Sequence, residues 1–511
     1  MRRTSFLPNV IFLSLAVGLF GNLQIACAAD KLEIAPGPFE ATRESLKKYE
    51  CPEWFRDAKF GIWAHWGPQA VPMDGDWYAR GIYEQGSPHY KYHVEHYGHP
   101  SKVGYKDIVP QWKAENFDPD SLISRYKKAG AKYFVSMGVH HDNFDIWNSK
   151  HHKWCAAKMG PKKDIVGLWR DAARKAGLHF GVTEHLERSW SWFNVNKRHD
   201  SKGQFAGVPY DGNDPKYQDF YFPPHEGDGQ NYPVDPPDSW KQTWLHRITD
   251  LIDSYQPDLL YTDGGIPFGE VGRGMVAHLY NQGLQRHHGK QEVIYTIKNA
   301  KDAFHGDFEQ GCCMLDMERG VVAGVNPDPW QTDTCVGDWF YKRGIDYKTP
   351  QTVIQMLVDI VSKNGNLLLN FPPRADGTLD AEEDKILEGI TKWMAVNSES
   401  IYSTRPWKVF GEGPTQGSGG QFSERKAKVY TPEDIRFAVK GSTLYATLLA
   451  WPEKQAVIKS LGPSGAWLGK IQKVTMLGVD QALRFSQSAD GLKVDMPDHR
   501  PGEYAYVLKI G

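Results

Sequence analysis

Cysteine is scarce, with six residues in a chain of 511. Cleavage of an N-terminal leader after Ala28 leaves Cys51, Cys155, Cys312, Cys313 and Cys335, an odd set at no metal-like spacing. Such a set excludes a disulfide framework and leaves room for one pair at most. An excess of one charge is also lacking. Lys and Arg number 60 against 62 Asp and Glu, a formal net charge of −2, so the electrostatics give no reason to expect nucleic acid or a membrane surface as partner. Beyond the first residues no apolar run is long enough to cross a bilayer. There is no Walker or dinucleotide type of Gly-rich phosphate loop and no Gly-x-Ser-x-Gly elbow, which withdraws the usual support for those chemistries. No internal repeat is seen beyond an alternation of βα type, and low complexity is confined to a Gly/Ser/Gln stretch near residues 412–420.

Tryptophan is plentiful. The chain has 18 Trp, and aromatics make up 13% of it; tryptophans stack on the apolar faces of sugars in polar clefts, but any single one is first a core residue. The N-terminus reads as a secretory leader. Arg2 and Arg3 form its positive region, Val10 to Phe20 its apolar region, and Ala26-Cys27-Ala28 its cleavage site. Residues 1–28 are therefore expected to be removed, leaving a secreted or periplasmic protein that starts near Ala29 or Asp30. Lipid attachment at Cys27 ranks second, because Gln24 stands where an apolar residue is usual.

From about residue 55 to 400, short apolar runs alternate with amphipathic helical stretches, the pattern of βα units around a parallel sheet. The strand candidates are Phe60–His65, Tyr133–His141, His179–Thr183, Leu259–Asp263, Val293–Ile297, Cys312–Met317 and Leu367–Phe371. An eighth is sought near Cys335–Trp339, and eight strands make a barrel. Asp164 is placed to cap a helix that stops at Gly177, Thr349-Pro350 to open another, and Trp240 to Tyr255 carry a third. Segment 188–238 has little periodicity and many turn residues, as expected of a loop that lines a pocket or runs over the surface. After Arg405-Pro406 the pattern changes to period-2 runs between Gly and Pro, which predicts a small antiparallel β-domain. The expected division is thus a leader at 1–28, a barrel at 29–404 and a β-domain at 405–511.

The chemistry is expected at the C-terminal ends of the barrel strands. The run Phe60 to Trp63 stops at His65, Trp66 and Gly67, where it would deliver polar and aromatic groups to a pocket mouth. Asp263 ends a strand and precedes Gly264-Gly265, a position for a nucleophile or base, although Asp-Gly is also ordinary turn chemistry. Glu318 follows another strand, and two carboxylates on separate strand ends can flank a glycosidic bond. Glu184, Glu270 and Glu309 compete as the second acid, Glu184 most directly because it too follows a strand. Glu318 is alternatively a partner of Arg319 or Arg343. His140-His141-Asp142 invites a metal reading, but neighbours on a strand point to opposite faces and share a metal only if the chain bends. The histidines read equally as recognition groups for sugar hydroxyls or as a structural pair, and His151-His152 adds imidazole without a clear carboxylate partner.

The ordered motifs resemble family 29 glycoside hydrolases, the α-L-fucosidases. Lys59–Gly67 resembles the family's Lys-Phe-Gly-x-x-x-His-Trp-Gly, and Asp76-Trp77-Tyr78 its acidic-Trp-Tyr. His140-His141-Asp142-x-Phe144 with Trp147 resembles His-His-Asp-Gly-Phe-x-x-Trp, with Asn143 in place of Gly. Tyr261-Thr262-Asp263-Gly264 falls where the family has an aromatic residue, any residue, the nucleophilic Asp and Gly. Leu367–Pro373 with Gly377 resembles the final-strand motif. The third strand, Gly181-Val-Thr-Glu-His-Leu-Glu187, departs from relatives that carry tyrosines there.

The resemblance implies a (β/α)8-like TIM barrel with a C-terminal antiparallel β-sandwich, and a retaining exo-α-L-fucosidase acting on terminal fucosides without metal or cofactor. It further implies Asp263 as nucleophile, with His65, Asp76, Trp77, His140, His141 and Tyr261 shaping the fucose pocket; Glu318 is assigned as acid/base beside it. The expected partner is a fucosylated oligosaccharide or glycoconjugate. Three alternatives stand beside this reading: a non-catalytic fucose-binding relative, a glycosidase of related specificity such as an α-L-galactosidase, and a metal-dependent barrel hydrolase.

Overall fold

The computed structural model describes Met1 and residues 34–229, 236–298, 310–415, 419–425, 429–462 and 470–511. The expected leader and Cys27 lie outside the described residues, as does Glu309. Eight parallel strands close into a barrel in sequence order. They are β1 (Phe60–Ala64), β2 (Tyr133–Val139), β3 (His179–Glu184), β4 (Leu259–Thr262), β5 (Ile294–Lys298), β6 (Met314–Asp316), β7 (Trp330–Cys335) and β8 (Gly365–Asn370). Closure comes from parallel pairing of β1 with β8, Phe60 opposite Leu367 and Trp63 opposite Asn370.

Apart from His179 and Leu315, which are partly exposed, the strands are buried along their length, as expected where helices cover the outside and side chains fill the interior. At Gly61 the interior leaves no room for a side chain, since a Cβ there would lie 2.3 Å from the Tyr133 ring. The eighth strand corrects the reading of Cys335–Trp339. It lies earlier, at Trp330–Cys335, and escaped the apolar criterion because Gln331, Thr332, Asp333 and Thr334 are polar and buried. Trp66 is also a core residue. Its ring packs against Trp112 and Phe117, and its N–H donates to the Arg374 carbonyl.

The helices follow their end signals. Asp164 caps Ile165–Lys175 by accepting from the Gly167 amide, and Gly177 beyond it takes φ 73, the left-handed conformation glycine supplies at no steric cost. Thr349 caps Pro350–Ser362, while Asp238–Tyr255 buries Trp240, Trp244, Ile248, Leu251 and Ile252. Among the described residues Cys51, Cys155 and Cys335 carry free thiols. No helix among those residues is long and apolar enough to cross a membrane.

Past the barrel the chain forms β9 (Arg405–Glu412), β10 (Ile435–Lys440), β11 (Thr443–Leu448), β12 (Gln455–Ile458), β13 (Val474–Met476), β14 (Phe485–Ser488), β15 (Gly491–Asp495) and β16 (Tyr506–Ile510). These make an antiparallel five-stranded sheet, β13-β16-β11-β10-β9, and a three-stranded sheet, β12-β15-β14. One core joins them, with Phe437, Ala446 and Leu508 from the first sheet meeting Ile458, Leu492 and Val494 from the second. The β-domain docks on the helix Pro350–Ser362, where Arg436 pairs with Asp359 and Gln355 donates to the Leu449 carbonyl.

Candidate active site

Because the strands are parallel, the residues just after each of them meet at one mouth of the barrel. β1 is followed by His65, β2 by His140 and His141, β3 by His185 and β4 by Asp263. β5 ends on Lys298, and Glu318 stands two residues beyond β6. The adjacent histidines share one pocket because the chain leaves the sheet there. The β2–β3 register shifts between Met137 and Val139, and Asn143 turns the chain at φ 61, a conformation asparagine tolerates better than most residues.

Asp263 is the electrostatic centre. Lys298 Nζ contacts its Oδ1, Tyr261 Oη donates to the same oxygen at 3.2 Å, and Arg188 Nη2 lies 3.3 Å from Oδ2. Burial alone would raise this carboxyl. The ammonium of Lys298 and the guanidinium of Arg188 outweigh it and hold the group well below the usual carboxylate range, so it is ionised at neutral pH. Lys298 Nζ also donates to Glu318 Oε2 at 2.6 Å. One ammonium therefore bridges the two carboxylates.

The histidines have fixed and opposite polarities. Burial pushes His65, His140 and His185 below their usual range and takes His141 to about 3, so all four rings are neutral at pH 7. His141 Nδ1 donates to the His185 carbonyl at 2.6 Å, which leaves its Nε2 as an acceptor, 3.3 Å from Asp263 Oδ2. The Gln69 carbonyl oxygen takes the Ala79 amide, so its NH2 donates to His140 Nδ1 at 2.9 Å. The proton of His140 then sits on Nε2, a donor, 3.6 Å from Asp76 Oδ1. Among the described residues His65 has no hydrogen-bond partner at either ring nitrogen, and His185 Nδ1 lies 3.5 Å from Asp263 Oδ2. A wall with acceptors and donors side by side is suited to a ligand rich in hydroxyls.

Aromatic rings pack around the histidines. Trp63, Trp339 and Phe340 stand 4.7, 5.5 and 4.8 Å from the His65 ring, centroid to centroid. Trp77 and Trp192 close the side by His141, at 6.4 and 5.2 Å. Trp77 holds φ 63, a strained conformation of the kind found at binding sites. Trp192 belongs to the insertion expected at 188–238, whose first turns thus line the pocket. Asp76 is raised well above its usual range by burial and by nearby Asp338, which favours its protonated form.

The structure brings together Asp263, Glu318, His65, Asp76, Trp77, His140, His141 and Tyr261. It adds Lys298, Arg188 and His185, which the sequence reading missed. The signal for them was position, since Lys298 and His185 stand at strand ends like the residues that were found. Glu184 faces elsewhere. Its carboxyl is buried and accepts from Thr262 Oγ1 at 2.7 Å, from the Leu186 amide at 3.0 Å and from Trp244 Nε1 at 3.2 Å. Glu270 is exposed on the helix Glu270–Arg286. Arg319 pairs with Glu424, not Glu318, and Arg343 reaches Met73 Sδ.

Among the described residues two groups have metal-ligand spacing, His65 with His140 and His185, and His141 with His185 and Asp263. In the first, His140 presents an N–H where a metal needs a lone pair. In the second, Lys298 and Arg188 already occupy Asp263. Neither donor set fits a metal well.

A closed (β/α)8-type barrel with paired carboxylates and a wall of imidazole donors and acceptors at its C-terminal mouth defines a sugar-hydrolysing class of enzyme. The sequence profile described as Alpha-L-fucosidase matches residues 26–399, and that of the Alpha-L-fucosidase C-terminal domain matches residues 429–511. The chain belongs to the alpha-L-fucosidase family and is a glycoside hydrolase. It is 28% identical over 516 residues to tissue alpha-L-fucosidase of Rattus norvegicus, covering 97% of both chains. Against plasma alpha-L-fucosidase of Homo sapiens the identity is 28% over 471 residues, covering 90% of this chain and 88% of the other. The crystal structure of Thermotoga maritima alpha-fucosidase superposes with a TM-score of 0.70 at 25% identity, over 93% of this chain and all of that one.

Proposed function

We propose that the chain is a retaining exo-α-L-fucosidase that removes terminal α-L-fucosides from glycans through a covalent glycosyl-enzyme. Asp263 is the nucleophile and Glu318 the acid/base, while His65, Asp76, Trp77, His140, His141 and Tyr261 bind the sugar. The observation that carries this reading is the shared ammonium. Two carboxylate oxygens that touch one Nζ are separated by no more than two hydrogen-bond lengths, about 6 Å. That favours the roughly 5–5.5 Å of retaining enzymes over the roughly 6.5–9.5 Å that inverting enzymes need to admit a water.

In the first step an Asp263 oxygen bonds to the anomeric carbon as the carbon–oxygen bond to the aglycone breaks, and Glu318 passes its proton to the leaving oxygen. In the second, Glu318 takes a proton from water, whose oxygen displaces Asp263 and frees the sugar. Lys298 lies between the carboxylates in the free enzyme, so sugar entry requires it to release one of them. Glu318, the less buried, is the one released, and Lys298 stays with Asp263 to keep it ionised. Asp76-H and His140 Nε2–H donate to hydroxyl oxygens, His141 Nε2 accepts, and the aromatic wall meets the deoxy methyl group.

Hydrolysis of an aryl α-L-fucoside beside an aryl β-D-galactoside tests the substrate. Proton NMR of the first-formed fucose and peptide mapping after treatment with a 2-fluoro fucosyl fluoride test the mechanism. An α-anomer and a label on Asp263 are expected; a β-anomer first would sink the retaining scheme, and a label elsewhere would move the nucleophile. The same reading takes 1–28 as a cleaved leader, 29–404 as the catalytic unit and 405–511 as the β-domain, and places the mature enzyme outside the cytoplasm. Recovery of the native protein with Met1 intact would count against that placement.

A further inference from the structure

Glu318 stands on a turn between two barrel strands, and the β-domain grips that turn. β6 has only three residues, so the chain after Asp316 has little sheet of its own to fix it. A segment beyond β9, residues 420–424, runs beside it and supplies three backbone hydrogen bonds. The Phe422 amide donates to the Glu318 carbonyl at 2.8 Å, the Glu424 amide to the Arg319 carbonyl at 3.0 Å, and the Gly420 amide to the Val321 carbonyl at 2.8 Å. In return the Val321 amide donates to Ser423 Oγ at 3.3 Å.

One side chain ties this segment to the barrel. Glu424 accepts from Arg319 Nε at 2.6 Å and from Thr334 Oγ1 at 2.7 Å, and Lys348 Nζ lies 3.3 Å away. Thr334 belongs to β7, and Lys348 lies just ahead of the helix Pro350–Ser362, so the carboxylate links three parts of the catalytic unit at a largely buried point. Arg319 itself holds φ 46, a left-handed conformation that a non-glycine residue keeps only when its surroundings enforce it. The segment lies between the two stretches matched to the family, 26–399 and 429–511.

We propose that Glu424 is a positioning residue for the acid/base: by fixing Arg319 against β7 it sets the backbone of Glu318, so the β-domain completes the catalytic geometry without contributing a reacting group. The proposal rests on the reading of Glu318 as acid/base. A misplaced acid slows departure of a poor leaving group and matters little for a good one, whereas general loosening of the fold slows all substrates alike.

The test compares Glu424→Ala, Glu424→Gln and Glu318→Ala in the full chain on aryl α-L-fucosides whose leaving groups span weakly to strongly acidic phenols. For Glu424→Ala, kcat/KM should fall about 10- to 100-fold on the least acidic phenol and about threefold or less on the most acidic. Glu424→Gln keeps an acceptor for Arg319 and should recover much of the loss. Equal losses across the series in Glu424→Ala, with a steep leaving-group dependence in Glu318→Ala, would overturn the positioning role while Glu318 stands. A flat series in Glu318→Ala would overturn the acid/base reading, and the proposal with it. If Glu424→Ala does not fold, Arg319→Lys carries the comparison, and a flat series in that variant overturns the proposal.

Discussion

Replacing Lys298 by Met removes the ammonium that bridges the two carboxylates while keeping much of the side-chain volume. Its ammonium contacts Asp263 Oδ1 and Glu318 Oε2, and all three side chains are at most 15% exposed, so solvent screens the interaction weakly. Loss of an opposite charge at this range raises a carboxyl by about 1–3 pH units, each unit worth about 1.4 kcal/mol. Arg188, 3.3 Å from Oδ2, keeps part of the depression in place. The acid limb of kcat/KM, which follows ionisation of Asp263, should therefore move up by about 1–3 units. Stability should fall by about 3–5 kcal/mol, the cost of leaving a buried charge without its partner.

The sign of each linkage is fixed. Lys298 is raised above its ordinary 10.5, so its contribution is complete below that value and is lost only in strong alkali, outside the working range. Asp263 is depressed, so its contribution is complete above 3.8 and is lost as pH falls through the lower folded value. In the variant that loss should begin at a higher pH. The assay is kcat/KM for an activated aryl fucoside from about pH 3 to 9 beside chemical denaturation of both proteins. A drop in stability with the acid limb unmoved would refute the reasoning and leave Lys298 a structural ion.

Asp263→Ala should lower turnover of every fucoside by about 10³-fold or more, because no covalent intermediate can form; substantial residual turnover would refute its role as nucleophile. His65→Ala should raise KM or lower kcat with an unchanged circular dichroism spectrum, and dialysis of the native enzyme against EDTA should leave activity intact; stoichiometric zinc with activity lost on chelation would count decisively against sugar-binding histidines. Burial raises Glu184 from 4.5 to about 7, so the folded state binds more protons than the unfolded one between those values and stability should fall as pH rises through that window. Glu184→Gln should flatten this decline, which amounts to a few kcal/mol, and denaturation at about pH 5 and 7 reads it; an unchanged slope would mean that Glu184 stays ionised in its three-donor cage.

What was legible in the sequence was whatever a local pattern encodes. Seven barrel strands announced themselves as apolar runs, and His65, His140, His141 and Asp263 came directly from where those runs stop. β7 did not, for a physical reason. Gln331 donates to Asp316 at 2.7 Å and accepts from Tyr133 at 3.0 Å, so amide, carboxyl and phenol satisfy one another inside the barrel. Buried polar groups with partners are stable there, yet in a single sequence they look like loop. Lys298 was hidden by one residue, because its strand was read as ending at Ile297 and a lysine next in line passes for surface. His185 registered only as the absence of a tyrosine.

The hold on Glu318 was beyond reach in a different way. Arg319 and Glu424 are 105 residues apart, and nothing in the composition near either one names the other. A strand end can be recognised from the few residues that form it, because those residues also bury it. The setting of a turn by a distant domain is a property of two surfaces meeting, and each surface on its own is an ordinary short stretch with no pattern that names the other. The groups that react therefore lay where local patterns point, at the ends of strands, and the groups that hold the acid in place became visible only when both halves of the chain were folded together.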